Sequence, residues 1–337
     1  MKRLILIFLL ASIGTVALFL LNVFYGAVDI PVSSVWNILC GNGDADASWR
    51  FIVLESRLPQ AVTALLCGGA LSVCGLMLQA VFRNPLADPS ILGISSGAGL
   101  GVALVMLLLG GNIAVGNVAL GGFVAVLSAA FVGALLVTAV MFFLSSLMRS
   151  NAMLLVAGVM VGYLTSSAVM LLNFFASEDG AHSFMVWGMG NFSSVSLGSM
   201  PFFGTVCVVC LLVSVLLVKP LNILVLGVQY AANLGVNTRR LRNTVLVTTG
   251  MLTAVTTAFC GPVSFLGLAV PHVARMLTHT DDYRLLLPAT VIVGAMVALM
   301  CNVVCNSPAN GMVLPVNVIT PIVGAPVIIY VMLRRFR

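Results

Sequence analysis

Residues 4–24 read LILIFLLASIGTVALFLLNVF, an unbroken run with no charged side chain. At 1.5 Å per residue, a helix of this length covers about 30 Å, the hydrocarbon thickness of a bilayer. A helix on a soluble protein would carry a polar face, and this run has none. A cleaved secretory leader has an apolar core of about 7–15 residues closed by a small-residue cleavage site. The run is longer than that and ends without an Ala-x-Ala, so it is read as a first, retained span.

The remaining sequence repeats the pattern. Of 337 residues, 61% are apolar and 7% charged, and the mean hydropathy is +1.18. Soluble domains run at about 45–50% apolar and about 25% charged, so a soluble globular fold is excluded. Disorder is excluded by the hydrophobicity, and a collagen-like chain by the absence of a three-residue glycine period. Apolar runs separated by polar, Gly or Pro breaks fall at about 4–25, 58–82, 91–110, 115–147, 152–176, 199–218, 244–261, 264–278, 285–306 and 317–333. The predicted fold class is all-α: a polytopic membrane protein of about ten transmembrane helices, forming one domain over 1–337. The fourth run is too long for an upright span, and the eighth is short.

Basic residues fix the orientation, because cytoplasmic loops retain Lys and Arg. With a cytoplasmic amino terminus and ten crossings, the cytoplasmic side holds Lys2, Arg3, Arg83, Arg149, Lys219, Arg239, Arg240, Arg242, Arg275, Arg284, Arg334, Arg335 and Arg337. The outer side holds Arg50 and Arg57. Both termini are expected in the cytoplasm. The acids divide the other way, with Asp29, Asp44, Asp46, Glu55, Glu178 and Asp179 outside and Asp88, Asp281 and Asp282 inside. Between the spans, two outer segments (26–57 and 177–198) and one basic inner segment (219–243) are long enough to meet a partner.

Several chemistries are missing. Lysine occurs only at Lys2 and Lys219, so no P-loop is present and the chain cannot hydrolyse ATP by that route. No catalytic residues are expected; the chain reads as a transport subunit, not an enzyme. Asp, Glu, Lys and Arg fall at span ends and in loops, which argues against an ion-coupled secondary transporter, the rival from another class. The polar residues within the spans are Gln79, Thr165, Ser166, Ser167, Asn173 and Thr248, Thr249, Thr253, Thr256 and Thr257. They fit either interhelical hydrogen bonding or a weakly polar lining for a bulky cargo. Seven of the eight cysteines sit in or beside apolar runs, and Cys207-x-x-Cys210 has no second pair or histidine near it, so both are read as packing. His182, His272 and His279 are not read as iron ligands, and no metal or cofactor is expected.

Three stretches go beyond composition. The first runs from Arg57-Leu-Pro-Gln through Gly68-Gly-Ala-Leu-Ser-Val-Cys-Gly75 and Gln79 to Arg83-Asn-Pro-Leu-Ala-Asp-Pro-Ser-Ile-Leu-Gly-Ile-Ser-Ser-Gly-Ala-Gly99. The second is Ala231-Ala-Asn-Leu-Gly-Val-Asn-Thr-Arg-Arg-Leu-Arg242. The third begins Gly261-Pro-Val-Ser-Phe-Leu-Gly-Leu-Ala-Val-Pro-His-Val-Ala-Arg275 and resumes at Leu314-Pro-Val-Asn-Val-Ile-Thr-Pro-Ile-Val-Gly-Ala-Pro326.

Together they resemble the permease subunit of binding-protein-dependent ABC importers for iron–siderophore complexes, haem and cobalamin, from about residue 50 onward. The resemblance implies ten helices per subunit, a homodimer, two cytoplasmic ATP-binding subunits and a periplasmic or lipid-anchored solute-binding protein in the bacterial inner membrane. Membrane lipid is the other expected partner, and nucleic acid is not one. The cargo it implies is an iron(III) complex, siderophore-bound or haem, with cobalamin as the alternative. It assigns ATPase coupling to segment 219–243, at Gly227, Ala231, Ala232, Leu234 and Gly235, and a cytoplasmic gate to Asn84, Leu86, Asn151 and Ala152. The glycines and alanines at 68–70, 75 and 97–99 are read as close helix packing, and Arg239, Arg240 and Arg242 as a solvated basic loop meeting lipid headgroups. Docking of the binding protein falls to Arg57 and Arg50. The chain departs from its relatives there: Gln60 replaces a second arginine, Asn302, Asn306 and Val313 replace an acid, an arginine and a glutamate, and Asn317 replaces a glycine.

Overall fold

The computed structural model describes residues 2–41, 46–109, 112–115, 118–148, 150–307 and 313–335. Asp44, Arg149 and Arg337 lie outside them. Each of the ten apolar runs carries a helix. In chain order these are α1 (Lys2–Phe24), then short α2 (Val32–Leu39) and α3 (Ala47–Phe51), the latter passing through a π-helical turn (Ile52–Arg57) into α4 (Leu58–Phe82). Next come α5 (Ile94–Ala103), extended by a π turn to Leu108, α6 (Gly122–Leu147), α7 (Asn151–Phe174), α8 (Glu178–Gly188) and α9 (Met200–Leu216). The remainder is α10 (Val218–Val225), α11 (Val228–Asn233), α12 (Thr238–Cys260), α13 (Leu266–Thr278), α14 (Tyr283–Cys305) and α15 (Val316–Arg335).

Six of these helices are long and apolar enough to cross a membrane, or seven if α9 and α10, bent by 51° at their junction, count as one broken span. Ile94–Leu108 and Val316–Val331 are shorter apolar helices.

The long fourth run is not a single helix, which corrects the sequence reading. Its first residues form strand β2 (Val118–Gly121), antiparallel to β1 (Asn112–Val115), with Val115 opposite Val118.

Local chemistry sets the helix ends. Ser150, Ser177, Asn237 and Asp282 each accept a backbone N–H from the first turn they cap, satisfying groups that helix geometry leaves open. Pro85 and Pro89 lie in the turn between α4 and α5, where they stop one helix before the next begins.

Helices α4 and α12 form the interior. Their apolar windows are 83% and 78% buried, against none for α1 and 17% for α7. Lipid supplies no hydrophobic drive between helices, so association rests on close van der Waals contact. The predicted small residues provide it. A Cβ on Gly68 would overlap the Gly294 carbonyl of α14, and one on Gly75 would overlap the Gly267 carbonyl of α13. Gly97 and Gly101 of α5 meet Gly133 and Ala129 of α6 in the same way. Gly99 meets nothing closer than 4.0 Å and is not at a crossing.

Candidate functional site

At the arginine-rich end, α10 and α11 form a short excursion from the bundle. Asn222 fastens it: its amide donates to Asp282 Oδ1 at 2.6 Å and its carbonyl accepts the Tyr283 N–H at 2.7 Å, so α10 is fixed to the start of α14. The backbone N–H of Arg284 and the Asn222 amide hold the Asp282 carboxyl below the usual carboxylate range. The excursion turns at Gly227 (φ +131°) and Gly235 (φ +81°), backbone conformations that a side chain would strain. Of the five predicted coupling residues, Ala231 is buried and anchors α11, while Ala232, Leu234 and Gly235 are exposed and Gly227 is half-buried. Leu226, Val228, Tyr230 and Leu234 present apolar side chains outward beside them.

The predicted gate residues lie at the same end. Asn84 accepts the Leu86 N–H at 2.9 Å and shapes the turn after α4, and Leu86 stands partly exposed on it. Asn151 donates to the Val81 carbonyl at 2.6 Å, which ties the start of α7 to the end of α4, three residues before Asn84. Ala152 is exposed beside it. In the intervening turn, burial raises the Asp88 carboxyl while two hydrogen bonds from Ser90 act in the opposite direction.

Arg242 departs from the sequence reading of a solvated basic loop. It is 7% exposed, and its guanidinium donates to Asn151 Oδ1 at 3.0 Å, to the Met148 carbonyl at 3.1 Å and to the Ser145 carbonyl. One side chain in the first turns of α12 thus holds the end of α6 and the start of α7, and through Asn151 the end of α4. A cleft of about 350 Å³ between Leu224, Val228, Thr238, Arg242 and Asn151 puts segment 219–243 and this joint on one cavity. The signal was present in the sequence: Arg242 shares a helical face with Val245, Leu246 and Thr249, all buried, whereas exposed Arg240 lies on the opposite face.

At the opposite end, Arg57 is only 5% exposed, and its guanidinium donates to the carbonyls of Phe24 (2.9 Å), Val23 (3.3 Å) and Val28. It closes the end of α1; Arg50, read with it as a docking residue, is exposed. The π turn explains the inward aim: an inserted residue shifts the helical phase before α4 begins. The substituted amides meet one another. Gln60 donates to Asn302 Oδ1 at 3.1 Å, Asn302 donates to Asn22 Oδ1 at 2.7 Å, and Asn22 donates to the Leu299 carbonyl at 3.1 Å. Asn306 donates to the Asn302 carbonyl at 2.9 Å. This neutral chain edges a cleft of about 490 Å³ that Asn22, Arg57, Gln60, Asn191 and Asn306 line. Asn317 joins the turns after α8 and α12 through Gly188, Pro262 and Ser264.

The threonine series of α12 proves to be interior. Thr248, Thr249, Thr253, Thr256 and Thr257 are all buried, and Thr248, Thr249 and Thr256 bond carbonyls of their own helix. Gln79 is also buried and accepts from Arg275 at 2.8 Å. Ser167 and Asn173 on α7 are exposed instead, among outward Met160, Tyr163, Leu164, Met170 and Phe174. Among the described residues, no group of three His, Cys, Asp or Glu could hold a metal ion.

Buried glycine crossings, an interior helix pair, and an exposed excursion beside a turn joined by Asn151 and Arg242 are features that a known family can be compared with directly. The model of the FecCD transport family matches residues 14–334. The chain belongs to the FecCD transport family. The vitamin B12 import system permease protein of Klebsiella pneumoniae is 35% identical over 292 residues, covering 86% of this chain and 84% of that protein. The counterpart from Salmonella typhimurium is 34% identical over 301 residues, covering 86% of each. A solved structure of a transporter assigned to the metal-chelate ABC type, in an inward-facing conformation, superposes with a TM-score of 0.81 at 27% identity, over 96% of this chain and 98% of that one. This FecCD chain is therefore an ABC importer permease of the inner membrane, a transport component and not an enzyme.

Proposed function

We propose that two copies of this FecCD permease form the membrane path of an ATP-driven importer for a bulky metal chelate. Each copy crosses the membrane ten times as a single domain with both termini in the cytoplasm. Two cytoplasmic ATP-binding subunits seat on segment 219–243, contacting Gly227, Ala232, Leu234 and Gly235 while Ala231 packs beneath. A periplasmic or lipid-anchored solute-binding protein delivers cargo at the opposite face, where Arg50 and the amide-lined cleft replace the arginine–acid pairing that Arg57 is too buried to make. Asn84, Leu86, Asn151 and Ala152 close the path on the cytoplasmic side.

The observation that carries this reading is the excursion of α10 and α11. It is apolar on its outside, fixed to α14 by Asn222, and shares a cleft with Asn151, so a push on it reaches the gate turn through Arg242. Iron(III)-siderophore or haem cargo is the reading carried from the sequence. Cobalamin is the second reading, favoured by the vitamin B12 relatives at 34–35% identity.

The test is reconstitution with the cognate ATPase and binding protein in liposomes, with ATP-dependent uptake of ferric siderophore, haem and cobalamin measured in parallel. Uptake of one of them under ATP fixes the cargo. Uptake that needs a proton gradient and no ATPase overturns the importer mechanism.

A further inference from the structure

A groove of about 640 Å³ lies between α6, α9 and α12 and meets the cleft around Asn151 and Arg242 at Arg239, which lines both. Its lining is segregated along its length. The mouth is formed by the first two turns of α12, with Arg239, Arg240, Asn243 and Thr244. Deeper along the same helix come Val247 and Met251, faced by Phe142 of α6 and by Cys210 and Val213 of α9. No lining residue is acidic. Arg239 gives one N–H to the Ser146 carbonyl at 3.0 Å, and no protein acceptor is recorded for the Arg240 head among the described residues. The Asn243 carbonyl accepts from Ser145 Oγ at 2.8 Å, which leaves its NH₂ as a further donor.

Polarity and depth run together here. Arg240 and Met251 are eleven residues apart on α12, about 16 Å at the helical rise and roughly half the hydrocarbon thickness of a bilayer. An occupant must be anionic at the mouth and apolar for that depth. A free phosphate satisfies the mouth alone, and a detergent-like apolar chain satisfies the wall alone. Basic pockets between transmembrane helices, open to the cytoplasmic leaflet, suit acidic lipid headgroups.

We infer that this groove binds one acidic phospholipid of the cytoplasmic leaflet, its phosphate between Arg239 and Arg240 and an acyl chain against Phe142, Val213, Val247 and Met251. Such a lipid would brace α9 and α12 on either side of the coupling excursion. The inference rests on the membrane placement and not on the identity of the cargo, so lipid binding is read on the permease alone, apart from uptake.

The test is native mass spectrometry of the full-length chain, purified as it assembles, titrated with dioleoyl phosphatidylglycerol or with dioleoyl phosphatidylcholine. With about fivefold in affinity for each basic side chain near acidic lipid, phosphatidylglycerol is expected to bind about twenty-five-fold more tightly than phosphatidylcholine. The double variant Arg239→Gln/Arg240→Gln should lose that preference, while Arg284→Gln, an exposed arginine at the same end, should keep it. Val213→Trp, which fills the apolar wall and leaves the arginines in place, should lose both lipids. Equal binding of the two lipids, or a preference intact in the double variant, overturns the proposal. So does displacement of phosphatidylglycerol by millimolar inorganic phosphate, which would mean a bare anion site. All variants touch half-buried or exposed positions, and elution as a single species confirms their fold.

Discussion

Replacing Arg57 by alanine separates a residue that closes a helix from one that meets a partner. The guanidinium donates to three carbonyls at the end of α1 and is 5% exposed. Gly26 packs so closely against this side chain that a Cβ there would stand 2.9 Å from Arg57 Nε. Hydrogen bonds involving a charged group contribute about 1.5–3 kcal/mol each. Three would give about 5–9 kcal/mol, but the freed carbonyls border a cleft of about 490 Å³ and can rehydrate in part. The net loss is therefore set near 3–5 kcal/mol, the range for breaking one side of a buried charged interaction. At about 1–2 °C per kcal/mol for a long chain, the apparent melting temperature in detergent should fall by about 5 °C. Arg57→Lys should recover less than half of this, since one ammonium cannot reproduce the fork. The companion measurement is affinity for the solute-binding protein, which should change for Arg50→Ala and not for Arg57→Ala once both are folded. If Arg57→Ala melts like the parent yet loses binding-protein affinity, the burial argument is wrong.

Three further outcomes are expected. Gly235→Leu places a side chain at φ +81°, at a local cost of about 1–2 kcal/mol; because nothing packs within 4 Å of that position, the fold should survive while ATP-dependent uptake in liposomes is lost. Arg242→Gln removes the joint between α12 and the α6–α7 turn, so ATP hydrolysis by the assembled transporter should persist with uptake reduced by about tenfold, equivalent to about 1.4 kcal/mol of lost coupling; retention of full uptake would refute that linkage. Asp282 has a depressed carboxyl pKa, so its contribution is complete above the unfolded value near 3.9 and is lost as pH falls through the lower folded value. Acid unfolding curves of the parent and of Asp282→Asn should therefore converge at low pH and diverge toward neutrality, with the variant less stable there.

Sequence reading reached the helices well and their neighbours poorly. Each apolar run carries a helix because composition decides whether a segment can leave water, and Gly68, Gly75 and Gly97 fell at crossings because small residues in lipid have few other uses. The strand pair 112–115 and 118–121 was hidden by hydrophobicity. The burial of Arg57 and of Arg242 was missed for a common reason. Both are charges near span ends, where solvation is the ordinary outcome, and what buries each is backbone from other helices that no single segment reveals. The α12 threonines illustrate the converse, since hydroxyls that could line a path are satisfied by their own helix and face inward. The residues proposed for gate and coupling carry a motif in the sequence. Their physical connection through Asn151, Arg242 and Asn222 became visible only in three dimensions.

The glycine crossings bear on how such a molecule can move. Shear between packed helices works by small side-chain readjustments that let one surface slide on another. Where backbone lies directly on backbone, as at Gly68 with Gly294 and Gly75 with Gly267, there are no side chains to readjust. Helices α4, α13 and α14 are therefore expected to travel as one body during a transport cycle.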